Sequence, residues 1–196
     1  MPQLIQRILA SDPEAPSRWV GLFLWQLDDQ TRRLTEHTRG ATPDELAWQS
    51  GPGQNTIGML LAHVADVEVS WIDVGVNGKS WDASDGIVLP VTPAEIGIPL
   101  PADGKAPSAL AGKDLDFFDR LLARARAFTR RSLAGAPDLD CDRRFRLPAP
   151  WADDTVFEAN AGWVLYHVLE HQAGHYGQIN LLRHQYAARH AAGSRT

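Results

Sequence analysis

The sequence predicts an all-α fold, a four-helix bundle with long irregular connections. Three observations carry this. Apolar residues recur at i, i+3, i+4 and i+7 in four separate segments. Capping and stop residues bracket those segments, and almost no stretch alternates as a strand would. The composition is ordinary for a globular chain: 196 residues, 44% hydrophobic and 22% charged. Such a length is read as one domain over 1–196, large enough to bury a sizeable core without covalent staples.

The first helix is expected from about Ser17 to Arg39. Trp19, Leu22, Phe23, Leu27 and Leu34 share one face, with Asp28, Asp29, Arg32 and Arg33 outside it. Gly40 is a natural stop. Thr42-Pro43-Asp44-Glu45 has the form of an N-cap followed by proline in a short helical turn. Gln49 to Gly53 reads as a loop on turn chemistry.

Asn55 or Thr56 caps the second helix, which runs to Val74 or Gly75. Its stripe is Ile57, Leu60, Leu61, Val64, Val67 and Trp71, and His63 lies at the stripe's edge. The segment 76–107 then holds Pro90, Pro93, Pro99, Pro101 and Pro107 with four glycines, so it cannot be a long helix. Its apolar residues, among them Trp81, Ile87, Leu89 and Ile96, favour a connection packed on the body over a free linker.

Ser108 is expected to cap a third helix reaching Leu133, with Leu115, Phe118, Leu121, Leu122, Ala125 and Phe128 inward and Gly135 as its close. Asp138 to Asp154 forms a second irregular link, anchored by Phe145, Leu147 and Trp151, with room for brief strand pairing. The fourth helix is expected from near Thr155 to Ala188. Val156, Ala159, Trp163, Tyr166, Leu169, Ile179 and Leu182 would be buried, with Gly162, Gly174 and Gly177 inside it. Two long connections argue against simple up-down-up-down order; one is expected to cross the bundle.

Composition excludes several functions. Nineteen Lys and Arg against 24 Asp and Glu give a net charge of -5, which does not suit a nucleic-acid binder. The single cysteine, Cys141, excludes an internal disulfide framework and any multi-cysteine metal site. No run is apolar enough for a secretory h-region or a membrane span, so the expected compartment is the cytoplasm. A metal, if bound, must be held by histidine and carboxylate.

Seven histidines are available, and His167, His171 and His175 follow one another at i, i+4 steps. Residues four apart share a helix face, with Cβ atoms ~5–6 Å apart, so two imidazoles can converge on one ion. A third ligand must come from another helix, and His63 is the best placed. Three protein ligands leave a fourth position open, as in catalytic zinc sites. The plain alternative is a row of hydrogen-bonded boundary histidines. The zincin pattern H-E-x-x-H is absent, because Gln172, Ala173 and Gly174 separate His171 from His175.

Two blocks carry a family resemblance. One is Asp44-Glu45-Leu46-Ala47-Trp48, a Gly-Pro-Gly loop, and Asn55 through Glu68. The other is Trp163 through Arg183, centred on His171, His175 and Gly177-Gln178-Ile179. The chain resembles the DinB/YfiT-like superfamily of metal-dependent proteins. The resemblance implies an up-down-down-up four-helix bundle and a divalent metal, commonly zinc or nickel, held by His63, His171 and His175. It leaves His167 to line the cavity or orient a ligand. Some relatives use low-molecular-weight thiols (mycothiol or bacillithiol) in transferase or isomerase reactions, the metal lowering the thiol's pKa. Hydrolase-type chemistry on a small-molecule substrate is also open. Relatives often pair, so a homodimer is expected.

The alternative function is a non-catalytic metal- or ligand-binding stress protein, with His167 or Glu170 closing the site as a fourth ligand. An empty, degenerate site serving dimerisation is a third reading. Asp66 is a candidate acceptor for an imidazole N–H. Arg143, Arg144 and Arg146 form a small basic cluster, read as a solvated loop or an anion site. Tyr166 is expected in the core. Trp25, Trp71, Trp81, Trp151 and Trp163 either wall a pocket or pack the bundle. His37, His184 and His190 are expected on the surface.

Overall fold

The computed structural model describes residues 8–81, 88–136, 142–149 and 153–193. Expectations placed on Ile87, Cys141 and Trp151 fall outside these. The chain is mostly helical. Its elements in order are α1 (Arg18–Thr38), α2 (Pro43–Ala47), α3 (Ile57–Gly75), α4 (Pro93–Ile96), a 3-10 turn (Ser108–Leu110), α5 (Leu115–Ala134), β1 (Arg144–Pro148), β2 (Val156–Asn160) and α6 (Ala161–Gly193).

α3 is the central element and packs against α5 and α6, and α1 packs against the same two helices. Its start follows from Thr56, whose hydroxyl accepts from Met59 N at 3.1 Å. Because α3 is wrapped by neighbours, Ile57 to Ala62, Val64 and Ala65 are all buried, well beyond a single stripe. Its last residue, Gly75, meets α6 closely: a Cβ there would lie 2.6 Å from Val164 Cγ2. Only glycine lets the two helices approach at that level.

α1 begins at Arg18, within a residue of the expected start, with Ser17 as its cap. Its inward register differs from the expected one. Val20, Phe23, Leu24, Leu27 and Leu34 are buried, whereas Trp19 is 77% exposed. The i, i+4, i+7 series Val20–Leu24–Leu27 sets the buried face, and Trp19 falls a turn-edge away from it.

Two helix starts move. Ser108 opens a 3-10 turn, and Gly112 at φ +72° breaks the path before α5. Asp114 is the true cap, accepting from Phe117 N at 2.9 Å. At the other end, Val156 to Asn160 is strand and not the first turn of α6. It pairs antiparallel with β1, Phe145 opposite Ala159 and Leu147 opposite Phe157. Phe145, Leu147, Phe157 and Ala159 turn inward while Arg144, Arg146, Val156 and Glu158 face solvent, the period-2 pattern of a half-buried hairpin. Asn160 then caps α6, its Oδ1 accepting from Trp163 N at 2.7 Å.

The connection between α3 and α5 is anchored by Leu89, Val91, Ile96 and Leu110, all buried. Thr92 and Glu95 form a reciprocal capping box on α4. The basic cluster divides between the end of α3 and the hairpin. Arg143 donates to the carbonyls of Gly75 and Val76 at the end of α3, and Arg144 and Arg146 pair with Glu158 across the hairpin. Tyr166 is 57% exposed and lies outside the core.

One buried polar network ties the long helices together. Arg126 of α5 donates from Nε to Glu68 Oε1 (2.9 Å), from Nη2 to Glu68 Oε2 (3.2 Å) and Thr31 Oγ1 (3.0 Å), and from Nη1 to Asp28. Thr129 Oγ1 donates to Glu68 at 2.7 Å, and Gln172 Nε2 donates to Thr31 at 2.8 Å. The network therefore reaches from α1 through α3 and α5 to α6, next to His171.

Candidate metal centre

His63 stands in the second turn of α3, and His171 and His175 share one face of α6. The packing of these helices brings all three together. His171 Nε2 lies 3.2 Å from His63 Nε2 and 3.0 Å from His175 Nε2. Each residue offers one ligand atom within 4.8 Å of the other two. Nitrogens bound at ~2.0–2.1 Å around a tetrahedral ion lie ~3.3 Å apart. The observed spacing fits that geometry with little adjustment. An all-nitrogen donor set suits zinc, nickel or another borderline divalent ion.

The electrostatics agree with a ligand role. Burial, together with the charge of the neighbouring His175, lowers the His63 pKa to about 4. Burial lowers His171 to about 3, reinforced by His175, His63 and His167. His175 is also lowered by burial, against an opposing hydrogen bond to Gln178. Below their ordinary value of about 6.5, the rings of His63 and His171 are neutral at pH 7 and present lone pairs without first losing a proton.

The sequence alone gives Gln178 no role. Its Oε1 lies 2.8 Å from His175 Nδ1. An amide oxygen only accepts, so Nδ1 carries the hydrogen and Nε2 keeps its lone pair toward the centre. The i, i+3 spacing from His175 is the signal that points to it. Gly174, between His171 and His175 in the sequence, has open space where a side chain would stand.

His167 and Glu170 stay outside the cluster. Glu170 Oε1 lies 3.1 Å from His167 Nδ1, and Glu170 Oε2 accepts from Tyr166 at 3.1 Å. The His167 ring stacks on Trp163 (4.8 Å, 6°) and meets Trp71 edge-on at 4.7 Å. Trp71 also contacts Trp81 and Phe157, so an aromatic wall flanks the histidines. Asp66 accepts no imidazole hydrogen bond among the described residues, and burial raises its pKa to about 6. Glu68 is committed to Arg126. His37, His184 and His190 are exposed, His37 bonding Tyr176 at 2.7 Å.

A helical chain whose second and last long helices bring three histidines to one point is the arrangement of the DinB/YfiT-like metal-dependent superfamily, and the chain is a member. The family model described as mycothiol-S-transferase matches residues 23–188, so the chain belongs to that family. No curated protein sequence matches it. Among the described residues no helix is long and apolar enough to cross a membrane.

Proposed function

We propose that this protein is a mycothiol-dependent S-transferase acting on a small electrophile, with a divalent metal held by His63, His171 and His175. The convergence of three Nε2 atoms in a chain of this family carries the reading. A metal bound there supplies Lewis-acid chemistry, lowering the pKa of a thiol at its open position. The chain's own contributions are separate. The three imidazoles stay neutral through burial, and Gln178 fixes the His175 tautomer. Gly174 leaves room beside the centre, and the Trp71–Trp163–His167 wall limits water on one side. In the transfer the thiol gives its proton to solvent, sulfur bonds to the electrophilic carbon, and the leaving group departs with its electron pair.

Zinc or nickel fits the nitrogen donors equally. The same reading takes residues 1–196 as one up-down-down-up four-helix domain with 76–107 packed on it, acting in the cytoplasm as a homodimer. A non-catalytic site would need a fourth protein ligand; the positions of His167 and Glu170, bound to each other, favour the open one. The test is metal content and mycothiol conjugation, with His171→Ala. Stoichiometric metal in wild type, loss of both properties in the variant, and loss of activity on chelation are expected. Unchanged metal content in His171→Ala would overturn the ligand assignment.

A further inference from the structure

The two helices that carry the three histidines hold four carboxylates: Asp66, Glu68 and Asp73 on α3 and Glu170 on α6. Three are committed. Glu68 accepts from Arg126 and Thr129. Asp73 accepts from Asn77 at 2.7 Å and from Lys79 at 3.2 Å. Glu170 bridges His167 and Tyr166. Of the four, Asp66 alone has no hydrogen bond or ion pair among the described residues. Its place on the helix is the second observation. Every residue of α3 is buried except His63, Asp66, Val67 and Ser70. These fall at i, i+3, i+4 and i+7, one stripe that starts at His63. Solvent or a small molecule that touches α3 does so along this stripe. Asp66 stands about 4.5 Å along the axis from His63, with Cβ atoms about 5–6 Å apart. It is not in the group of ligand atoms that lie within 4.8 Å of one another. A carboxylate so placed stands outside the nitrogen donors, yet near enough to take a proton from a group held there, directly or through one water. Burial without a partner raises its pKa to about 6, which leaves it ionised at pH 7 and able to give a proton up again.

We propose that Asp66 is the catalytic proton acceptor of this site, taking the thiol's proton and passing it to solvent along the half-buried stripe. The inference rests on the transferase reading. The S–H bond breaks, its proton goes to an Asp66 carboxylate oxygen, and its electron pair stays on sulfur. Sulfur then bonds to the electrophilic carbon, and the leaving group departs with the pair of the broken bond. Asp66 returns to its ionised form by losing the proton to water, so no further reactant is consumed. Ser70, four residues on, keeps the stripe polar beyond Asp66.

The test uses the zinc-loaded full chain with mycothiol and monobromobimane, an alkyl bromide whose bromide needs no proton to leave. Asp66→Asn keeps the shape and removes the base. It is expected to lower kcat about 100-fold, with little change in KM and none in zinc content. Its rate should go on climbing with pH where wild type has levelled off, as hydroxide replaces the carboxylate. Asp66→Glu should keep more of the rate than Asp66→Asn, and added formate should restore part of it to Asp66→Ala. A second readout needs no turnover. When mycothiol is mixed with the zinc protein without electrophile, a pH indicator should report equal proton release from wild type and Asp66→Asn, but slower release from the variant. Equal kcat and equal release rates overturn the role. Loss of zinc from Asp66→Asn overturns it too, because the carboxylate would then be a ligand. Wild type that holds zinc yet neither releases a proton nor conjugates defeats the transferase reading itself, and the role of Asp66 with it.

Discussion

Replacing Arg126 with methionine tests the buried network that joins α1, α3, α5 and α6, the last of which carries His171. Arg126 is 9% exposed and Glu68 2%. The substitution keeps most of the side-chain volume and removes both guanidinium bonds to Glu68, leaving only the Thr129 hydroxyl at 2.7 Å. Asp28 keeps Arg130, and Thr31 keeps Gln172. The dominant consequence is thus a carboxylate stranded in the core. Stranding one member of a buried pair costs about 3–5 kcal/mol. In a domain of this size each kcal/mol moves Tm by ~2–4 °C, so a fall of roughly 6–20 °C is expected. Guanidinium unfolding and thermal melts of the metal-free protein supply the measurement. The double variant Glu68→Leu/Arg126→Met buries no charge and should recover most of the loss. A single-variant cost below about 1 kcal/mol, or a double variant no better than the sum of the singles, refutes the reasoning.

Two further outcomes follow from the centre itself. Gln178→Ala should weaken metal affinity about 10- to 100-fold in competition with a chromogenic chelator, with Gln178→Glu keeping an acceptor and most of the affinity; equal affinity in all three proteins would remove Gln178 from the site. The metal-free protein should lose stability as pH falls below about 6.5 toward 4, because His63 and His171 take up protons in the unfolded chain before they do so in the folded one. Asp66, raised to about 6, works in the opposite direction over part of that range, but two imidazoles outweigh one carboxyl. A Tm that stays flat from pH 7 to 4.5 would contradict the buried, neutral state of His63 and His171.

Much of the site was legible because its information is local. His171 and His175 are one helical turn apart, and α3 announces itself through Thr56 and an unbroken apolar stripe around His63. What the spacing does not contain is long-range. Arg126 and Glu68 are 58 residues apart, and nothing near either one marks them as partners. Hydrophobicity alone places Trp19 in the core, because the sequence does not show which neighbour covers the first turn of α1. Val156 to Asn160 has helical neighbours on its C-terminal side, so its strand pairing emerges only once Arg144–Pro148 lies beside it. Tyr166 sat on the expected stripe, yet its hydroxyl turns outward to Glu170. Gln178 stands in the second motif, but its contact with His175 Nδ1 depends on side-chain orientations that spacing does not fix.

The most direct measurement is X-ray absorption at the zinc edge of the zinc-loaded protein, before and after mycothiol is added. Three imidazole nitrogens at ~2.0–2.1 Å and one oxygen are expected first, with the oxygen replaced by one sulfur at ~2.3 Å afterwards. A sphere filled by four protein ligands that does not change with thiol would contradict the account.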